Sequence, residues 1–274
     1  MTDVTLEYKK IDPARKDSIA VLAINRPHAA NSFNKEVIVA FEKHLNDVAN
    51  NQDCRALVLK GQGKNFSGGA DLQWMKASQK LSAQENKKES QQLMNMFEQL
   101  YRLPKPTIAL VQGAAFGGAV GLVSCCDLAI ACDDARFCFS EIKLGLVPAV
   151  ILPYLAKKIA PHALKYLALT GRVFDSKEAQ DCGLVHHVCS VDESKQVLHQ
   201  ELNHLLSSAP MAMTSLKNLL QHLEDNSRKQ DELMVDSIAQ IRVGKEAQGG
   251  ISAFFAKEKP QWVMKLSQDW TIHE

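Results

Sequence analysis

Two glycine-rich stretches of this chain are able to present free main-chain N–H groups to an anion. The first, Phe66–Leu72, follows a short apolar run, and the second, Gln112–Ala119, follows another. Glycine lets a ligand approach the backbone closely, and a strand that ends in such a loop before a helix often binds anions. Each stretch alone is equally well explained as an ordinary loop. Together they supply two converging donors, the minimum for an oxyanion hole.

The elements that must position these turns are visible in the hydrophobic pattern. Apolar, β-branched runs at Ser18–Ile24, Ala56–Leu59 and Thr107–Val111 predict strands. A segment from Lys35 to Val48 has apolar residues at helical spacing. Gly117–Cys126 is apolar on nearly every side, which predicts a buried helix whose N-terminus favours a developing negative charge.

Three other segments carry weaker patterns. Gln79–Glu89 is charged and rich in Gln, Lys and Ser, which predicts a mobile, solvated segment before a helix over Leu93–Leu103. Near the C-terminus, Met211–Leu223 and Asp231–Ile241 have helix-spaced apolar residues.

Composition restricts the class of protein. The chain has 274 residues, 46% of them apolar, and a net charge of +1 from 32 basic and 31 acidic residues. A balanced charge disfavours nucleic acid or an anionic membrane as the main partner. The seven cysteines are odd in number, which favours free thiols in a reducing compartment. We find no zinc-type cysteine spacing, signal segment or bilayer-length apolar run, so we expect a cytoplasmic protein without a metal.

The two turns, taken with Phe139–Glu141, resemble the crotonase superfamily, the enoyl-CoA hydratase/isomerase family. Asn25–Asn31 resembles the early coenzyme A-binding turn of that family. Leu169–Gly171 and Ala179–Val185 resemble its later landmarks. The resemblance extends over nearly the whole chain.

This resemblance implies an α/β fold with two regions. Residues 1–205 would form a crotonase-like spiral core of ββα units that binds coenzyme A and carries the catalytic residues. Residues 206–274 would form a C-terminal α-helical region that packs homotrimers, alone or paired as homohexamers. Coenzyme A would enter as the substrate thioester, so no separate cofactor is expected.

The resemblance also assigns roles to individual residues. The N–H groups of Ala70 and Gly118 would hold the thioester oxygen, and Glu141 would be the general acid and base. The residues placed around coenzyme A are Ala29, Asn31, Ser67, Gly69, Asp71, Leu72 and Gly117. Asp71 is equally well placed to cap the following helix.

One departure from the family pattern bears on the reaction. The hydratases of this family commonly use two glutamates, and the position of the first is Gly121 here. A site with Glu141 alone fits the proton shuttle of an enoyl-CoA isomerase and also fits a hydratase branch with one glutamate. Phe116–Leu122 and Leu146–Ile151 resemble bacterial methylglutaconyl-CoA hydratase-like members. The resemblance therefore favours a hydratase of enoyl-CoA thioesters in leucine or isoprenoid breakdown.

Other readings stay open at this point. The missing glutamate also fits a non-catalytic coenzyme A- or RNA-binding protein, and an oxyanion hole also serves thioester hydrolysis. A distal carboxylate on the acyl group would need a cation, for which Lys143 and Lys76 are candidates. Lys257 or Lys259 could meet the phosphates of coenzyme A, although a solvated charge cluster explains these two lysines as well.

Overall fold

The chain folds around two β-sheets, in a computed structural model that describes residues 2–225, 238 and 240–272. The strands are β1 (Val4–Lys10), β2 (Ser18–Ile24), β3 (Cys54–Gly61), β4 (Thr107–Val111), β5 (Ala114–Phe116), β6 (Leu128–Cys132), β7 (Arg136–Cys138), β8 (Phe174–Asp175) and β9 (His187–Cys189). The larger sheet has the order β1-β2-β3-β4-β6-β9, and the smaller has the order β5-β7-β8. In the larger sheet, β1 is antiparallel to β2 and the other neighbours are parallel.

Helices cover both faces of the larger sheet. They are α1 (Lys35–Asn50), α2 (Leu72–Ser78), α3 (Ala83–Tyr101), α4 (Gly118–Cys125), α5 (Leu152–Lys158), α6 (Pro161–Thr170), α7 (Ser176–Asp181), α8 (Ser194–Ser207), α9 (Pro210–Asp225) and α10 (Lys245–Ala256). Short 3₁₀ helices lie at Pro27–Ala29 and Ser140–Leu144. Among the described helices, none has the length and apolar character needed to cross a bilayer.

Burial on two faces explains the continuous apolar runs of the central strands. β2, β3 and β4 are buried along their full lengths. Successive strand residues point to opposite faces, so Leu57 and Leu59 pack towards α1, α3 and α4. Val58 packs in a second cluster with residues of α8 and the C-terminal segment.

The segment over Gln79–Glu89 differs from its prediction. Instead of a mobile stretch, the structure has α3 beginning at Ala83 with a capping box. The Ser82 hydroxyl accepts the Glu85 N–H at 3.3 Å, and the Ser82 N–H donates to the Glu85 carboxylate at 2.8 Å. The charged residues of its first turns face solvent, so the apolar stripe starts only further along the helix.

The C-terminal region returns to the core after its helices. Met264, Leu266 and Ile272 are buried against the larger sheet. The N–H of Met264 donates to the carbonyl of Leu206 at 3.1 Å, and the N–H of Leu266 donates to the Asn203 side chain at 2.8 Å. The division of the chain at residues 205 and 206 stays a prediction, and the bond to Asn203 ties the last segment to the first region.

Two further predictions concern the C-terminal helices and the cysteines. α9 contains the stretch predicted at Met211–Leu223. The stretch predicted at Asp231–Ile241 lies largely outside the described residues. All seven cysteines are free thiols, and six of them are buried, as the odd count and apolar neighbours indicated.

Candidate active site

The first glycine-rich stretch lies directly against the second. Phe66 donates its N–H to the carbonyl of Gln112 at 2.7 Å. Ser67 donates to Ala114 at 2.9 Å and accepts from Phe116 at 3.0 Å. These bonds form because the segment that leaves β3 runs parallel to β5, with Ser67 paired to Ala115. The structure thus brings together the two turns that are far apart in sequence.

Gly69 marks the closest approach between the turns. Its φ is +90°, and a Cβ placed on it would lie 2.7 Å from the carbonyl oxygen of Phe116. No other residue type fits there without a shift of the backbone. The Ser67 hydroxyl accepts the Gly69 N–H at 3.2 Å, and Ser67 itself is completely buried. Ser67 therefore positions the turn, and its contact with coenzyme A stays a prediction.

The N–H groups of Ala70 and Gly118 are unused in the part of the chain that the structure describes. Both residues are half-buried. The adjacent amides are occupied, since Asp71 donates to Phe33 at 2.7 Å and Gly117 donates to Cys138 at 2.8 Å. Gly118 is the first residue of α4, where an N–H has no intrahelical partner. The two predicted donors are therefore both available to a ligand.

Glu141 lies beside the second turn because their strands are neighbours. Gly117 follows β5 and Glu141 follows β7, and these strands pair with Phe116 opposite Cys138. The Oε1 of Glu141 is 3.0 Å from the point that a Cβ on Gly117 would occupy. Gly117 has a φ of +55°, so it is restricted to glycine by conformation as well.

The carboxylate of Glu141 is poorly solvated. Its Oε2 is buried and has no hydrogen-bond partner within the described structure. Burial raises the pKa of Glu141 above that of an ordinary glutamate, although its own backbone N–H acts in the opposite direction. A carboxylate with a raised pKa is a stronger base when ionised than an ordinary glutamate.

Asn31 and Ala29 occupy the early turn in different ways. Ala29 is half-buried at the end of a 3₁₀ helix and retains surface for a ligand. Asn31 is completely buried. Its amide donates to the carbonyls of Gln62 at 2.8 Å and Asn65 at 2.7 Å, and its side-chain oxygen accepts the Arg26 N–H at 2.9 Å. Asn31 therefore ties the early turn to the loop after β3, and its contact with coenzyme A stays a prediction.

Replacing Asn31 with Ala is expected to cost about 3 kcal/mol of folding free energy. The change leaves the carbonyls of Gln62 and Asn65 without their amide donor. It also places alanine, which has a Cβ but no side-chain hydrogen bond to offset the strain, at a φ of +56°. Urea unfolding measures the loss. Asn31→Gly is the matched control, since it tolerates that φ and still loses the amide. A drop in coenzyme A affinity with unchanged stability would instead restore the ligand contact.

Asp71 serves the local structure, as the capping alternative predicted. Its carboxylate accepts the N–H groups of Gln73 at 2.8 Å and Trp74 at 3.3 Å, which caps α2. The Arg26 guanidinium lies 3.1 Å from the same carboxylate. Burial alone would raise the pKa of Asp71, but these donors and Arg26 outweigh it and hold the pKa below its usual value. Leu72, next in the chain, is 76% exposed and open to a ligand.

The candidate cations lie at the surface. Lys143 is exposed and its Cε is 3.4 Å from the position of a Cβ on Gly171, so its stem extends towards that glycine. Lys76 is exposed in the last turn of α2. Lys257 and Lys259 are exposed beyond α10. Their proposed contacts with substrate stay predictions.

A residue that the sequence did not reveal fills the position of the missing carboxylate. A Cβ on Gly121 would lie 2.2 Å from the Cγ2 of Ile151 and 3.0 Å from the Cε1 of Phe97. Ile151 is buried just before α5. The space that a side chain at position 121 would need is therefore occupied by Ile151. The sequence shows only that residue 121 is a glycine. It does not show the contact with Ile151, because the two residues lie in segments that are distant along the chain.

With this geometry defined, the relationship to known proteins is clear. The sequence model of the family described as enoyl-CoA hydratase/isomerase matches residues 14–265. The chain belongs to the enoyl-CoA hydratase/isomerase family. As a member of that family it is an enzyme, and this confirms the resemblance inferred from the two turns and the Phe139–Glu141 segment.

Relatives within the family agree in fold and differ in named activity. A solved structure of an enoyl-CoA hydratase from Shewanella pealeana has a TM-score of 0.88 and 37% identity, covering 95% of this chain and 96% of that one. A short-chain-enoyl-CoA hydratase from Clostridium acetobutylicum is 30% identical, over 78% of this chain and 82% of its own. A peroxisomal dienoyl-CoA isomerase from Arabidopsis thaliana is 28% identical, over 94% and 99%. The crotonase-like α/β fold is thereby confirmed.

Proposed function

We propose that this member of the family is an acyl-CoA hydratase that adds or removes water across the 2,3 double bond of an enoyl-CoA. The observation that carries the proposal is the buried, unpartnered Oε2 of Glu141, beside the turn that also presents the Gly118 N–H. A carboxylate held in this way is suited to accept a proton and to return it. The relatives named as hydratases support the same assignment.

The proposed chemistry needs two amides and one carboxylate. Addition of water at Cβ moves negative charge onto the thioester oxygen. The N–H groups of Ala70 and Gly118 would stabilise that charge, each by about 3 kcal/mol at the transition state. Glu141 would accept a proton from water and then deliver one to Cα, which restores the carboxylate.

The acyl group is proposed from resemblance alone. Methylglutaconyl-CoA would fit the resemblance of the second turn and of Leu146–Ile151 to hydratases of branched acyl groups. Its distal carboxylate would have to pair with a cation such as Lys143 or Lys76, both exposed to solvent. The predicted homotrimer or homohexamer would cover exposed apolar side chains such as Phe254 and Phe255 of α10, which are 77% and 79% exposed.

One observation favours an enoyl-CoA isomerase as the second candidate. The position of the second glutamate is Gly121, so Glu141 has no carboxylate partner there. Ile151 fills the space that a side chain at position 121 would need. Moving a double bond requires only one group that removes a proton at one carbon and returns it at another. A relative named as a dienoyl-CoA isomerase supports this alternative.

A panel of thioesters separates the two activities. We expect purified protein to remove the conjugated absorbance of a 2-enoyl-CoA as the 3-hydroxyacyl product forms. An isomerase would instead create that absorbance from a 3-enoyl-CoA. The panel should contain short straight-chain enoyl-CoAs and methylglutaconyl-CoA, with mass spectrometry to detect the gain of water. Conversion of the 3-enoyl thioester without hydration of any 2-enoyl thioester would overturn the hydratase assignment.

A further inference from the structure

Ser140 places a second polar atom beside the carboxylate of Glu141. Its Oγ is 3.5 Å from the point that a Cβ on Gly117 would occupy, and the Oε1 of Glu141 is 3.0 Å from the same point. Gly117 has no side chain, so no Cβ separates the Ser140 hydroxyl from the Glu141 carboxylate. Both oxygens face the same small region beside Gly117, and a water molecule held between them would contact both.

A capping role does not explain this serine. A serine at the N-cap of a helix usually accepts a backbone N–H, as Ser82 does before α3. The N-cap of the 3₁₀ helix Ser140–Leu144 is Phe139, so Ser140 lies one residue after the capping position. Across the described residues, the Ser140 hydroxyl has no hydrogen-bond partner, although the residue is half-buried. The hydroxyl is therefore positioned by the fold and unused by it.

We propose that Ser140 orients the water that adds to the substrate, a role that rests on the proposed hydratase function. One hydrogen of the water would be donated to Glu141 and the other to the Ser140 hydroxyl oxygen, which leaves a lone pair directed at Cβ. The partner that hydratases of this family take from a second carboxylate would thus come from the residue next to Glu141, since Ile151 closes position 121.

The covalent step balances without any group beyond these. The water oxygen forms the bond to Cβ while its proton moves to the Glu141 carboxylate. The π electrons move to Cα and the thioester oxygen. The same proton is then delivered from Glu141 to Cα, and the electron pair returns from the oxygen. Ser140 holds one hydrogen bond to water throughout and changes none of its covalent bonds.

A reaction in which no water adds to the substrate isolates this role. Exchange of the α-proton of a saturated acyl-CoA in D₂O requires the amides and Glu141 but no attack at Cβ. A residue that orients water should affect hydration much more than this exchange. A residue that merely maintains the shape of the site should affect both equally.

The test compares three variants in the full-length protein. Ser140→Ala is expected to lower kcat for hydration by about 10–100-fold, with KM within about threefold, while α-proton exchange falls by less than about threefold. Ser140→Thr, which retains a hydroxyl, is expected to recover most of the hydration rate. Ser252→Ala, at an exposed position in α10, controls for loss of a serine hydroxyl elsewhere.

Each outcome is decisive. Hydration by Ser140→Ala within twofold of wild type, or an equal fall in hydration and exchange, overturns the role of Ser140 and leaves the hydratase assignment in place. Failure of the wild-type protein to hydrate any enoyl-CoA of the panel, while α-proton exchange proceeds, overturns the hydratase assignment and the role of Ser140 together. Thermal melts of all three variants confirm that the comparisons are made on folded protein.

Discussion

Replacing Glu141 with Gln is expected to lower kcat by about 10²–10⁴-fold, with binding of a coenzyme A thioester close to that of wild type. The amide is nearly the same size as the carboxyl group, so the turn at Gly117 keeps its neighbour. It cannot accept and return a proton, so the reaction loses its acid and base. Steady-state kinetics and calorimetric binding of an unreactive acyl-CoA measure the two effects separately.

The pH dependence follows from burial of the same group. Burial raises the pKa of Glu141 in the folded protein. The ionised carboxylate is the base for hydration, so kcat should fall as the pH drops through this raised pKa, at a higher pH than for an ordinary glutamate. The acid limb should vanish in Glu141→Gln together with the activity.

Stability should change in the opposite direction to activity. Below the pKa that Glu141 has in the unfolded chain, its carboxyl group is protonated in both the folded and the unfolded protein. Its burial then involves no charge and does not lower the free energy of unfolding. As the pH rises through the raised folded pKa, burial of the charge lowers the free energy of unfolding. Glu141→Gln removes that charge, so the variant should unfold at a higher urea concentration than wild type at neutral pH, and the advantage should disappear near pH 4.

Glu7→Gln is the matched control, because Glu7 is exposed on β1 and far from the two turns in the fold. It should leave kcat unchanged and give no comparable gain in stability. Unchanged turnover in Glu141→Gln would remove this residue from the mechanism. A loss of stability at neutral pH would show that the charged carboxylate is satisfied in the folded protein.

Much of the scaffold was predictable because its signals are local. β2 and β4 are continuous apolar strands, and their predicted bounds match the structure. α4 was recognisable from an apolar surface on all sides. The start of α3 was not, because charged residues in its first turns mask the periodicity and a capping box fixes the first residue.

The predictable part of the site was its main chain. The glycine turns are visible in sequence because their conformations exclude most other residues, as the φ values of Gly69 and Gly117 show. Side-chain roles were harder. Asn31 and Ser67 have polar side chains of the kind that bind ligands. Only the structure shows that both residues are completely buried and support the turns. Contacts between distant segments, such as Gly121 with Ile151, leave no local pattern.

The second large effect concerns Gly121, where adding one methyl group should cost much more stability in the wild-type protein than in an Ile151→Ala background. In the wild-type protein, Gly121→Ala is expected to lose about 1–3 kcal/mol of stability by overpacking, since its Cβ would lie 2.2 Å from the Cγ2 of Ile151. In an Ile151→Ala background the Cγ2 is gone, while the Cβ of residue 151 stays 2.9 Å and the Cε1 of Phe97 stays 3.0 Å from the added Cβ. The same change should then cost little, because a helix favours Ala over Gly by about 0.5–1 kcal/mol, which offsets the remaining close contacts.

A double-mutant cycle by urea unfolding measures this coupling. Ile151→Ala alone should cost about 2–5 kcal/mol as a buried large-to-small change. The double variant should be about as stable as Ile151→Ala, which gives a coupling energy of about 1–3 kcal/mol between the two sites. Gly249→Ala is the control, because a Cβ at this α10 position meets no atom within 4 Å and reports helix propensity alone.

The cycle also bears on the choice of mechanism. If Ile151 closes position 121, then Gly121→Glu should fail to fold stably in the wild-type background, because it combines overpacking with a buried unpaired carboxylate. A carboxylate at position 121 would be accommodated only where Ile151 has been replaced by Ala. The native core therefore permits hydration by Glu141 alone. Equal costs for Gly121→Ala in both backgrounds would show that Ile151 does not occupy this space, and position 121 would again be free for a catalytic side chain.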